Sequence, residues 1–177
     1  MRASRTMIIA SMMCGLLTVI PWHAARGESE SWRTDYAEAI TVARAENRMM
    51  LVLFQEPEQK ELNDHVERDV LGTDGPREKL AQYVRVRLPV DATVRSGGHE
   101  VVLLDHEAFE ELHRGPGLAV LDFTNPKSDY HGTVVSTMSL RAKEDLSVEK
   151  LNILLDLSGG TRAQREKAFD TRWRALE

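Results

Sequence analysis

The chain has 177 residues, 42% of them hydrophobic, a single cysteine and a formal charge of −5. That is enough apolar material for one ordinary domain with a real core. The acidity argues against nucleic acid or anionic lipid as a partner, and one cysteine permits no disulfide within the chain.

Residues 1–27 read as a signal peptide. Arg2 and Arg5 form a basic lead, and Met7 to Ile20 is an apolar stretch too short for a comfortable membrane span. Pro21 breaks it, and Ala25-Arg26-Gly27 offers small residues for cleavage before Glu28. The expected location is exported, periplasmic or secreted, with no stable membrane insertion after cleavage; an uncut segment would instead act as an anchor. Residues 1–27 carry three Arg and no acid, so the remainder holds 20 basic and 28 acidic residues, or −8. They also carry Cys14. The mature chain would then have no thiol, and with it no Cys nucleophile and no sulfur ligand for a metal.

Thr34 is placed to cap a helix from Asp35 to about Asn47, with Tyr36, Ala37, Ile40 and Ala43 as its inward stripe. Trp32, just before it, reads as a staple for this helix. Met49 to Phe54 is a continuous apolar run, which suits a strand covered on both faces. Pro57 marks its end and predicts the first turn of a helix reaching about Val70, with Glu56, Glu58 and Glu61 at the positive end of the helix dipole. Leu62, Val66, Val70 and Leu71 form its apolar stripe. Gly72 to Gly75 stops it, and Pro76 to Tyr83 begins another helical turn or two.

Val84 to Asp91 alternates, with Val84, Val86 and Leu88 on one side and Arg85 and Arg87 on the other. Pro89 confines that strand to an edge or an end, and the two Arg read as a solvated, edge-protecting face. Ala92 to Gly98 reads as a loop. Glu100 to Leu104 fits either a strand or a helix lead-in. Asp105 is placed to cap a helix through His113, with Phe109 and Leu112 inward, and Arg114-Gly115-Pro116-Gly117 is a sharp turn. Leu118 to Phe123 and Thr133 to Met138 read as strands joined by the polar turn Asn125 to Gly132, at hairpin distance. Ser147 caps a helix to about Leu157. Ser158-Gly159-Gly160 reads as a hinge, and Thr161 with Gln164 opens a basic amphipathic helix bearing Phe169, Trp173 and Leu176. The expected organisation is therefore 1–27 signal peptide, 28–158 globular domain and 159–177 C-terminal helix. That last helix is expected to pack on its own domain, the other reading being an acidic partner or membrane surface.

This order of elements resembles the thioredoxin superfamily. The stretch from Trp32 to Phe54 is similar to the lead helix and central strand of exported thioredoxin-like proteins. Pro116 sits where that family places a cis-proline before a strand, and Tyr130 to Met138 is similar to its final hairpin strand. Gly160-Thr161 and Gln164-Arg165 resemble a Cys-poor exported group within it. The resemblance implies an α/β, thioredoxin-like three-layer fold with a four-stranded mixed sheet. It also implies a binding cleft formed by Gln55, Glu56, Pro57, Lys60, Asp91, Arg114, Gly115, Pro116 and Gly117. The family's Cys-x-x-Cys belongs at the start of the helix after the central strand, where Gln55 to Asn63 has no thiol; its redox activity is not carried over.

No catalytic residue, metal or cofactor is implied. His106 and His113 are seven apart, about 10.5 Å along a helix, which is too far for a shared metal, and Glu110 between them does not change that. His65, His99 and His131 lack a paired acid at a telling spacing, and Asp122, His131 and Ser136 make no nucleophile elbow. The expected function is a redox-inactive, exported protein- or peptide-binding or scaffold module. The rival is a non-thiol enzyme that uses His or carboxylate groups in the same cleft. Partner identity and oligomeric state cannot be read from the sequence.

Overall fold

The computed structural model describes residues 31–159. The expectations for residues 1–27 and for the amphipathic stripe Phe169, Trp173 and Leu176 lie outside the described residues.

The centre is β1 (Met50–Gln55), every residue of which is buried except the half-buried Gln55. Its apolar run serves two cores at once because successive side chains point to opposite faces. Leu51 and Leu53 enter one core. Met50, Val52 and Phe54 enter the other. β1 pairs in parallel with β2 (Val84–Pro89) and antiparallel with β5 (Gly117–Leu121), which pairs antiparallel with β6 (Val134–Ser139). The sheet is thus four-stranded and mixed, in the order β2-β1-β5-β6. With helices on both faces, this is the α/β three-layer arrangement expected.

The connection from β1 to β2 runs through α2 (Lys60–Asp64), a π-helical continuation (His65–Leu71) and α3 (Asp74–Leu80). The helix expected from Pro57 begins three residues later. Glu56 to Gln59 closes a turn instead, with the Gln59 N–H donating to the Glu56 carbonyl, and only Glu61 remains in the first helical turn. The π-helical stretch widens the spiral enough to bury Val66, Val70 and Leu71 together. α4 (Val148–Gly159) packs on the same face through Leu151, Leu154 and Leu155. Its N-terminus is capped as expected, with the Lys150 N–H donating to Ser147 Oγ at 3.2 Å. Ser158 and Gly159 are its last turn rather than a hinge; the Ser158 hydroxyl is buried and donates to the Leu154 carbonyl at 2.7 Å.

The opposite face carries α1 (Tyr36–Glu46), capped by Asp35 rather than Thr34: its carboxylate accepts from the Glu38 N–H at 2.9 Å. α1 reaches the sheet through Ala39 and Ala43, both fully buried, while Ala37 is exposed. Small residues there let the helix lie close. The rest of this face is not helical. Residues expected as a loop form β3 (Thr93–Ser96), paired with β4 (His99–Val102). Gly97 and Gly98 both have positive φ (59° and 86°), which is what a two-residue hairpin turn requires. The helix expected from Asp105 to His113 is replaced by two 3-10 turns, Leu103–Asp105 and Glu107–Leu112. His106 is extended between them and caps the second, its Nδ1 accepting from the Ala108 N–H. A three-residue period stacks Phe109 above Leu112, which is what a short segment needs to bury both.

Candidate functional site

The nine cleft residues come from three places that the sheet register brings to one end. Gln55 closes β1, Asp91 follows β2, and Arg114 to Gly117 lead into β5, where Gly117 lies beside Phe54. The chemistry there is turned inward. Glu56 accepts the Gln59 side-chain amide on Oε2 at 2.8 Å and the Asn63 side-chain amide on its carbonyl at 2.9 Å. Arg114 is exposed and pairs with Asp105 at 2.7 Å. Pro57, Lys60 and Asp91 are exposed.

Pro116 corrects the family-derived expectation most directly. No peptide bond among the described residues is cis. The reversal before β5 is made instead by His113 and Arg114, consecutive residues with positive φ (50° and 59°). Pro116 is buried and its carbonyl accepts from the Leu140 N–H at 2.9 Å, while the Gly115 N–H donates to the Leu112 carbonyl at 2.9 Å. The Gly115 N–H and the Pro116 carbonyl are thus both engaged within the chain.

The larger concavity lies on the other side of β1. α1, the β3–β4 hairpin, the 3-10 turns and the start of β6 enclose a groove of about 1140 Å³. Its wall is largely apolar, with Ile40, Leu88, Val94, Val101, Val102 and Phe109. Tyr36 opens into it, and burial pushes its phenol up to about 12, with Arg44 pulling weakly the other way. Asp35, His106 and Glu107, all exposed, also line it. The groove could have been anticipated from Ser96-Gly97-Gly98-His99: two glycines between β-rich runs are a hairpin signal, and a hairpin leaves this face less completely covered than a helix would.

The remaining titratable groups are dispersed. His113, Glu110 and His99 are exposed. His65 bonds Asp69 at 3.1 Å and the Leu146 carbonyl at 3.2 Å. His131 stands edge-on to Phe123, and Asp122 spends its carboxylate on the Thr124 N–H and hydroxyl. Among the described residues, no group of three or more His, Cys, Asp or Glu side chains is placed to hold a metal, and no helix is long and apolar enough to cross a membrane.

Trp32 and the β2 arginines also differ from expectation. Trp32 does not staple α1. It lies on the other side of the sheet, its ring centroid 5.9 Å from the Arg85 guanidinium and 5.4 Å from that of Arg87. Arg85 is only 8% exposed, so this is no solvated face. Arg33 follows along the outer edge of β2, accepting from the Arg87 N–H and donating to the Arg85 carbonyl, which covers the edge the arginines were expected to guard.

No protein-family model and no curated protein matches this chain. Among solved structures, the chain is similar to a thioredoxin from Thermus thermophilus, at 18% identity over 71% of this chain and 85% of that one, with a TM-score of 0.45. A likeness that loose carries no argument about family or activity; the architecture stands on the strand order and register described above.

Proposed function

We propose that the chain is an exported, thioredoxin-like module without thiol–disulfide activity, whose task is to hold a protein or peptide. The observation that carries this reading is the groove between α1 and the β3–β4 hairpin. Its volume of about 1140 Å³ exceeds the roughly 300–1,000 Å³ of small-molecule sites, and its wall is more apolar than polar. Those properties suit an extended peptide with apolar side chains, lying beside the hairpin. The Pro116 end of the sheet is the weaker surface, because its Gly115 N–H and Pro116 carbonyl are spent internally. The absence of sulfur from Gln55 to Asn63 supports the redox-inactive part of the reading.

The rival enzyme, which uses His or carboxylate groups, would draw on His106, Asp35 and Glu107, which share the groove. Asp35 accepts from the Glu38 N–H as the cap of α1 and His106 accepts from the Ala108 N–H, so two of these groups are engaged within the chain, which favours the binder.

Selection of displayed peptides on the full chain tests the proposal. Recovered peptides should share an apolar core motif and lose binding at least about tenfold on Val101→Glu, which puts a charge on an exposed groove residue, but not on Val135→Glu, an equally exposed site outside it. Failure to recover a motif, or equal sensitivity to both variants, would reject the groove. Reduction of insulin disulfides by the chain should not exceed the rate without protein; turnover would reject the redox-inactive reading.

A further inference from the structure

A second cavity lies on the helical side of the sheet, away from the peptide groove and independent of it. It encloses about 270 Å³ between the edge strand β2, the π-helical stretch and α3. Three guanidinium groups, Arg77, Arg85 and Arg87, line it with one carboxylate, Glu67, and Trp32. In a chain with more acidic than basic residues, this is a local concentration of positive charge.

The groups are held in place before any ligand arrives. Arg85 is 8% exposed and forms a wall of the pocket. Arg87 lies over the Trp32 ring, an arrangement that orients a guanidinium while leaving its in-plane donors for an anion. Arg87 commits one terminal nitrogen to Glu67 Oε1 at 3.1 Å, while its buried Nε–H has no hydrogen-bond partner among the described residues. Arg77 is exposed, so it can close on a bound group. The same Glu67 Oε1 also accepts from Gln55 Nε2 at 2.9 Å, so Glu67 has a second partner to keep it satisfied if Arg87 turns away. The wall that presents Glu67 is the π-helical stretch, a form concentrated at functional sites.

We propose that this pocket binds a compact dianionic oxyanion: phosphate, or the phosphate group of a small phosphomonoester. The volume falls below that of ordinary small-molecule sites, which excludes a bulky ligand. Forked guanidinium donors match the oxygen geometry of a phosphate. Glu67 acts as an internal competitor that occupies Arg87 when the pocket is empty of ligand.

The test is a titration of the full chain with sodium phosphate, read by tryptophan fluorescence and by melting temperature, against sodium chloride at matched ionic strength. A saturable phosphate response that chloride does not reproduce is expected, and the fluorescence part should vanish in Trp32→Phe. Arg77→Gln, a change at an exposed position, should weaken phosphate at least about tenfold with the melting temperature in ligand-free buffer unchanged. Glu67→Gln should tighten it, because the competing carboxylate is gone. That sign separates a binding site from an arginine–tryptophan stack that only covers the sheet. Tighter binding of glycerol phosphate than of phosphate would assign the site to organic phosphates, and equal binding to the free ion. A response equal to chloride, wild-type affinity in Arg77→Gln, or no gain in Glu67→Gln would overturn the proposal.

Discussion

The two faces of the sheet are covered by different means. On one, α2 with its π-helical continuation, α3 and α4 lay leucine and valine side chains onto Leu51, Leu53, Leu118 and Val120. On the other, one helix reaches the sheet through two alanines, and the remaining cover is a hairpin and two 3-10 turns. Helical cover closes the surface by ridges and grooves; short irregular cover leaves the groove of about 1140 Å³. The same backbone strand thus carries, on one side, a core closed except for the small pocket beside β2 and, on the other, a wide concavity. That contrast identifies where a ligand could reach the interior without unfolding anything.

The comparison is broken most severely at Phe54, which is fully buried and meets Phe109 edge-on at 5.4 Å beneath the groove. Phe54→Ala should cost about 3–5 kcal/mol in urea unfolding, because it removes the packing on which the 3-10 turn rests. A cost below about 1 kcal/mol would mean that the grooved face is not a true core. Gly117→Ala comes next. A Cβ there would lie 2.7 Å from Leu112 Cδ2 and 2.7 Å from the Met138 carbonyl oxygen. The leucine can rotate but the backbone of β6 cannot move as cheaply, so the expected cost is about 1–3 kcal/mol. Unchanged stability would show that β5 and β6 can separate at this end.

The same contrast explains what was legible beforehand. Met49 to Phe54 could be placed because six apolar residues in a row leave few alternatives to a doubly covered strand. Leu62, Val66 and Val70 gave the helix after it, although the shift to π spacing from His65 has no local signature. Where the face is irregular, the sequence misled. Asp105 to His113 has helical periodicity in Phe109 and Leu112, but i, i+3 spacing serves a 3-10 turn equally well. Trp32 and Arg85 were assigned from their sequence neighbours, whereas their positions depend on Arg33 joining the edge of β2, a contact across more than 50 residues. The candidate cleft was drawn from resemblance; the register does gather it, but whether its backbone groups are engaged depends on a hydrogen bond to the Leu112 carbonyl and one from the Leu140 N–H that no motif encodes.

A pH titration sharpens the comparison on the groove side. Burial raises the Tyr36 phenol to about 12 in the folded chain, against about 10 when unfolded. A raised folded value means the neutral form is favoured by folding. Its contribution is complete below pH 10 and is lost as pH rises from about 10 to 12. Across that window the wild type should lose about 1–3 kcal/mol more than Tyr36→Phe, measured as the difference between their urea midpoints at each pH. Parallel curves would place Tyr36 in water and open the groove further than the structure has it.

The smallest effect tests the helical side. Tyr83 is 2% exposed and donates its hydroxyl to the Leu155 carbonyl at 2.8 Å, joining the start of β2 to the last turns of α4. Tyr83→Phe keeps the ring and deletes that hydrogen bond. A loss of about 0.5–1.5 kcal/mol is expected, with faster amide exchange concentrated in residues 152–159 and little change in α1. Protection lost equally on both faces would mean that α4 and α1 open as one unit. The two sides of the sheet would then differ in shape but not in independence, and a ligand in the groove would be felt by the helical layer as well.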